Sequence, residues 1–262
     1  HGPEWRVSAR AIVPPNGIIM IDNVKPLKDR IALVTGASRG IGAATAEKLA
    51  GLGAHVVLVA RTQGGLEEVD DAITKLGGSA TLTLLDLTDF AAIDKLGAAL
   101  FERYKKLDIL IGNAGLLGTL GPIGHTDPLV WDQTMAVNVT ANWRLIRSMD
   151  PLLRQSDAGR AVFLTSTAGQ QARAYWGIYA VSKAALEMMI NTYAQEVEKT
   201  NVRVNLFNPT GTRTGMRAEA FPGEDPMTIK TPEYVADQIV KLALPDFTVN
   251  GETITATNPS GL

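Results

Sequence analysis

Seven short runs of β-branched and aliphatic residues follow one another from Lys28 onward, separated by stretches of helical periodicity. The runs are Ile31–Thr35, His55–Ala60, Thr81–Leu85, Leu107–Gly112, Ala161–Thr165, Val202–Phe207 and Glu252–Thr257. They are near-continuously apolar, the pattern of parallel strands covered on both faces. The intervening stretches space their apolar residues three and four apart, as in Ile41, Ala44, Thr45 and Leu49, or Leu186, Met189, Ile190 and Tyr193. Each such helix has one face to bury. A repeat of this kind predicts an α/β fold: a doubly wound, seven-stranded parallel sheet with helices on both faces and right-handed crossovers.

No Pro/Gly/Ser-rich linker or internal repeat divides the chain, so residues 28–262 read as a single domain behind an N-terminal extension, 1–27. Met20 is a candidate initiator, which would make residues 1–19 vector-derived; they lack the basic start and apolar core of a signal peptide. The chain carries 25 Lys+Arg against 27 Asp+Glu, a formal charge of −2, and so lacks the basic excess expected of a nucleic-acid or anionic-membrane partner. Cysteine is absent, which excludes disulfides, thiol catalysis and cysteine-ligated metal centres, and no metal site is expected. No run is apolar enough to span a bilayer, which takes about 18 residues or more. A cytoplasmic location is the expectation.

The first strand runs into Thr35-Gly36-Ala37-Ser38-Arg39-Gly40-Ile41-Gly42 and then a helical segment. Glycines there permit a tight turn and close approach of the backbone to a ligand. The helix that follows turns free N–H groups and a positive dipole end toward a phosphate. The spacing is G-x-x-x-G-x-G, with the same physical logic as the better-known dinucleotide fingerprint. Gly36-Ala37-Ser38-Arg39-Gly40 also satisfies G-x-S-x-G, the nucleophile elbow of serine hydrolases. That chemistry needs a histidine base late in the chain, and the only histidines are His1, His55 and His125. The dinucleotide reading is therefore preferred.

The second strand ends Ala60-Arg61-Thr62, where an acidic residue would hold ribose hydroxyls and an arginine would accommodate a 2′-phosphate. With Arg39 in the glycine turn, two guanidiniums favour NADP(H) over NAD(H). Asp86, closing the third strand, is placed to accept from an adenine amino group or to cap the next helix.

Tyr179 and Lys183 stand at i and i+4, hence on one helix face. An ammonium beside a phenol lowers its pKa toward neutrality. Ser166 closes the fifth strand, where open α/β sheets place their ligands, and its hydroxyl can polarise a substrate oxygen. Tyr175 lacks a lysine at i+4 and reads as pocket wall or core, His125 as a surface or pocket-edge residue, and Arg144, Arg147 and Arg154 as a solvated or subunit-facing surface.

The ordered set (TGASRGIG at 35–42, Asp86, Asn113-Ala114-Gly115, Asn138, Ser166, then Tyr179 with Lys183) resembles the short-chain dehydrogenases/reductases from Leu27 to about Thr257. The likeness is to single-domain members such as the carbonyl reductases related to 3-oxoacyl-acyl-carrier-protein reductase. It implies a Rossmann-type fold and NADP(H)-dependent hydride transfer between nicotinamide and a carbonyl or alcohol substrate. By that resemblance Tyr179 is the general acid/base, Ser166 orients the carbonyl oxygen, Lys183 lowers the tyrosine pKa and holds the nicotinamide ribose, and Asn138 secures a water for reprotonation. The implied cofactor contacts are Gly36, Ser38, Arg39, Gly40, Ile41, Gly42, Arg61, Thr62, Asp86, Leu87, Asn113, Ala114, Gly115, Tyr179, Lys183, Pro209, Thr212 and Thr214. After the sixth strand the family carries Pro-Gly; here Thr210 stands in the glycine position, and the local turn is expected to differ slightly. A homotetramer or homodimer is implied, built on helices around 131–155 and 177–198. The alternative is a catalytically idle NADP(H)-binding sensor or scaffold. The segments 116–128, 170–175 and 213–229 would set the substrate, left open among acyl thioesters, sugars, steroids and xenobiotic ketones. Leu116, Leu117, Leu120, Tyr175, Trp176, Met216 and Phe221 suggest an apolar pocket.

Overall fold

The computed structural model describes residues 25–260; the expectations for residues 1–19 and for Met20 lie outside the described residues. Seven parallel strands, β1 (Ile31–Thr35), β2 (His55–Ala60), β3 (Ser79–Leu84), β4 (Ile109–Gly112), β5 (Arg160–Leu164), β6 (Arg203–Asn208) and β7 (Thr253–Thr255), form one sheet. Its order is β3-β2-β1-β4-β5-β6-β7. This is the Rossmann-type doubly wound arrangement, and chain direction across the sheet reverses between β1 and β4.

The helices are α1 (Gly40–Gly51), α2 (Gln63–Lys75), α3 (Phe90–Tyr104), α4 (Pro128–Met135), α5 (Ala141–Leu153), α6 (Gly177–Glu196), α7 (Gly215–Ala220) and α8 (Pro232–Leu242). Successive strand residues point to opposite faces, so each strand feeds two cores. On one face Ala32, Val34, Ile109, Ile111 and Val162 pack with α1, α2 and α8. On the other Leu33, Leu110, Ala161 and Phe163 pack with α3, α5 and α6. Of the expected helix stripes, Ala44, Thr45, Leu49, Leu186, Ile190 and Tyr193 are buried, while Ile41 and Met189 are half-buried.

Beyond β1 and β2, each strand differs from its expected run by one or two residues at one or both ends. β3 begins two residues early because Ser79 and Ala80 pair with His55 and Val56 as an edge strand. Leu107 and Asp108 precede β4; the buried Asp108 carboxylate accepts from Arg30, Lys106 and Ser156, which anchors the strand's entrance rather than extending its ladder. Leu27 is fully buried and donates its N–H to the Leu52 carbonyl at 2.9 Å, so the domain's packing starts before residue 28.

The cap of α3 is Asp89, whose carboxylate accepts from the Ala92 N–H at 3.0 Å. Asp86 instead folds its carboxylate onto the N–H and hydroxyl of Thr88, which excludes the capping alternative. Asp89→Ala should lower stability by about 0.5–2 kcal/mol in urea unfolding, as loss of a helix N-cap does. Among the described residues no helix is long and apolar enough to cross a membrane.

Candidate active site

The carboxyl ends of β1–β6 converge on two adjoining hollows. A groove of about 840 Å³ runs from Arg39, Arg61 and Asp86 to Tyr179 and Lys183. A cavity of about 400 Å³ holds Ser166, Trp176, Met216 and Phe221, and Tyr179 lines both.

The groove floor is the glycine turn. Gly36 (φ +63°) and Gly40 (φ +57°) adopt the left-handed region that favours glycine. A Cβ on Gly36 would stand 2.8 Å from Asn113 Nδ2 and 3.0 Å from Ala114 Cα, and one on Gly42 would collide with the Gly36 carbonyl. Gly42 is thus a packing residue beneath the groove rather than part of its wall. Asn113 donates its amide to the carbonyls of Thr35 (3.0 Å) and Gly36 (3.2 Å), while the Thr35 hydroxyl accepts from the N–H groups of Asn113 and Ala114. These bonds tie the glycine turn to the loop after β4. α1 starts with no capping side chain and no acidic residue in its first turn, so its amide end and Arg39 present positive potential. The Thr88 hydrogen bonds hold the Asp86 carboxyl below its ordinary value with a smaller contribution from Arg61, which is exposed and shares the wall with Ser38, Thr62 and Leu87. The glycine cradle and the two guanidiniums suit a phosphorylated dinucleotide.

At the far end, α6 carries Tyr179 and Lys183 on one face, both nearly buried at 7% and 4% exposure. The Lys183 ammonium lies 5.8 Å from the centre of the Tyr179 ring and donates to the Leu164 carbonyl at 2.9 Å. Burial pushes Lys183 down to about 8, with Glu187 opposing. Burial also raises the Tyr179 phenol, against a smaller lowering by the Ser166 hydroxyl. In the cofactor-free site, removing a phenolate from water is the larger of these two influences.

Asn138 sits in a one-turn π segment, Ala136–Thr140, between α4 and α5. Its Oδ1 accepts from the Leu116 N–H, and its Nδ2 donates to the Leu116 carbonyl and Ser182 Oγ. Ser182 in turn donates to the Tyr179 carbonyl. The side chain is engaged on both its oxygen and its nitrogen, so Asn138 positions α6 against the loop after β4, and its Oδ1 keeps a second acceptor site. In the segment after β6, Thr210 adopts φ +54°, a conformation costing a non-glycine residue roughly 1–2 kcal/mol. The Lys230 ammonium donates to the Thr210 hydroxyl and offsets that strain. Thr214 lines both hollows, whereas Thr212 is buried, donates to the Pro209 carbonyl and faces only the smaller cavity.

The model of the short chain dehydrogenases matches residues 30–225. The chain belongs to the short-chain dehydrogenase family. This short-chain dehydrogenase is 44% identical over 209 residues (79% of this chain, 82% of the relative) to YciK of Escherichia coli K12, an uncharacterised oxidoreductase. A short chain dehydrogenase from E. coli CFT073 complexed with NADPH superposes with a TM-score of 0.86 at 41% identity, covering 90% of this chain and all of that one. One from Shigella flexneri complexed with NADP gives 0.85 at 40% identity, covering 89% and 99%.

Tyr175, expected as pocket wall or core, is neither: it is 64% exposed, lines neither hollow, and has φ +72°. His125 is exposed in a short turn, Arg144 pairs with Asp94 and Arg154 with Asp150. Leu120 stays outside both hollows and Leu116 faces the groove. The sequence reading did not name Val137, Thr165 or Arg213 as groove-wall residues; all three adjoin residues it did name (Asn138, Ser166, and Thr212 with Thr214), so widening each motif by one position would have found them.

Proposed function

We propose that this short-chain dehydrogenase is an NADP(H)-dependent oxidoreductase acting on a carbonyl or alcohol group, with Tyr179 as general acid/base. The observation that carries the reading is that Tyr179 lines both the groove flanked by Arg39 and Arg61 and the cavity containing Ser166. Arg39, Arg61 and the amide end of α1 would hold the phosphates, and Lys183 and Gly115 would flank the nicotinamide ribose. When bound, NADPH supplies the hydride for the carbonyl carbon. The Tyr179 phenol delivers the proton to the carbonyl oxygen, and its raised pKa keeps that proton in place at neutral pH. Ser166, already beside the phenol, donates to the same oxygen. Lys183, charged below about 8, stabilises the tyrosinate as it forms. Trp143 on α5 and Met188 on α6, 47% and 69% exposed, support the further reading that these helices meet a second subunit.

Fluorescence titration with NADPH and NADH tests the cofactor. NADPH should bind at least about tenfold tighter, roughly 1.4 kcal/mol, and Arg61→Ala should remove most of the difference. Equal affinity for the two would reject the 2′-phosphate assignment. NADPH oxidation with a panel of ketones and aldehydes tests the activity itself.

A further inference from the structure

The smaller cavity is apolar at its centre but charged on one side. Arg173 and Arg217 both line it, and among the described residues its wall contains no aspartate or glutamate. The two arginines differ in their partners. Arg217 forms a two-pronged pair with Glu224 at 2.6 and 2.7 Å, so its charge is matched. Arg173 has no carboxylate partner among the described ion pairs; its guanidinium lies beside two contacting aromatic rings, 5.2 Å from the centre of Trp176 and 5.3 Å from that of Phe221. Lys230 adds a further cation behind the wall, bonded to Thr210 and Asn258 rather than to a carboxylate.

The place of Arg173 is built into the fold. Tyr175 turns the chain through the left-handed region, its carbonyl accepts from the Gly121 N–H at 2.8 Å, and the Trp176 N–H donates to the Arg173 carbonyl. Trp176 lies edge-on to Tyr179 with ring centres 6.0 Å apart. The guanidinium is thus no farther from the phenol ring than two ring spacings laid end to end.

From this geometry we propose that the substrate bears an anionic oxygen group, a carboxylate or a phosphate, that pairs with Arg173 several bonds from the reacting carbonyl. The inference deepens the oxidoreductase reading above and rests on it. A planar guanidinium braced by aromatic rings offers paired N–H donors to such a group. The guanidinium is exposed at the rim of the cavity, so its attraction for such a group falls as salt rises. The apolar lining then accommodates the carbon chain between anion and carbonyl. Arg173 is a specificity residue in this scheme and takes no part in proton transfer.

The test is the binding of non-reacting ligands of matched size, pentanoate, pentanamide and butyl phosphate, to the protein with and without NADP. Dissociation constants come from ligand-observed NMR. At least one anion should bind about tenfold or more tighter than the amide, and whichever anion is preferred identifies the class. Arg173→Gln should bring that ratio to within about twofold of one, and Arg173→Lys should restore part of it. The proposal is overturned by a wild-type ratio near one, or by a ratio that survives Arg173→Gln. It is also overturned if Arg173→Gln weakens all three ligands alike, since Arg173 would then only be clamping Phe221. Failure of the oxidoreductase reading shows separately, as no NADPH oxidation with either neutral or anionic carbonyl compounds.

Discussion

Tyr179→Phe is expected to lower kcat for carbonyl reduction by about 10²–10⁴-fold, the usual contribution of a positioned general acid. The change removes one oxygen and leaves the ring. The edge-on contact with Trp176 and the burial of the ring among its neighbours are kept, so the melting temperature should move little. NADPH affinity should also hold, because the phosphate-binding end of the groove is built from the glycine turn, Arg39 and Arg61, at the opposite end from Tyr179. Loss of turnover with cofactor binding intact identifies an acid; parallel loss of both identifies a structural lesion. A variant that still turned over at the wild-type rate would sink the assignment. Tyr175 is no substitute phenol, since it stands outside both hollows.

The architecture was legible in the sequence because parallel strands leave an unbroken apolar signature and helices a 3.6-residue one. The β2 and β1 limits match residue for residue, for there the apolar run and the ladder coincide. The reading slipped where another interaction outweighed apolarity. Asp108 interrupts the start of an apolar run with a buried ion network, and Ser79 joins an edge strand that has one side open to water. At the site, Tyr179 and Lys183 were legible because helix geometry alone puts i and i+4 on one face. What Asn138 bonds to was not legible: its partners, Leu116 and Ser182, come from two other segments brought together by the fold. Nor could spacing tell that Arg217 meets a carboxylate while Arg173 meets only rings.

Lys183→Met is expected to reduce kcat by roughly 10²-fold or more, as loss of an acid–base partner does, while leaving the cofactor-free fold as stable as wild type or more so at neutral pH. The ammonium is buried, and its folded-state pKa of about 8 lies below the ordinary lysine value of 10.5. Between those values the unfolded chain binds more protons than the folded one, so stability rises with pH across that window. Below about pH 8 the penalty is present in full, on the order of 3 kcal/mol from the size of the shift. Methionine removes the charge at similar length, but the Leu164 carbonyl loses its donor, which returns about 1–3 kcal/mol of that gain. The pH dependence separates the two effects, because only the ammonium titrates. Urea unfolding from pH 7 to 10 should show wild type gaining on Lys183→Met by about 2–3 kcal/mol. A difference that stays flat with pH would mean that Glu187 neutralises the lysine in the folded state. The expected slope would instead mark Lys183 as a charge held at a cost to the fold, beside the phenol whose ionisation it assists.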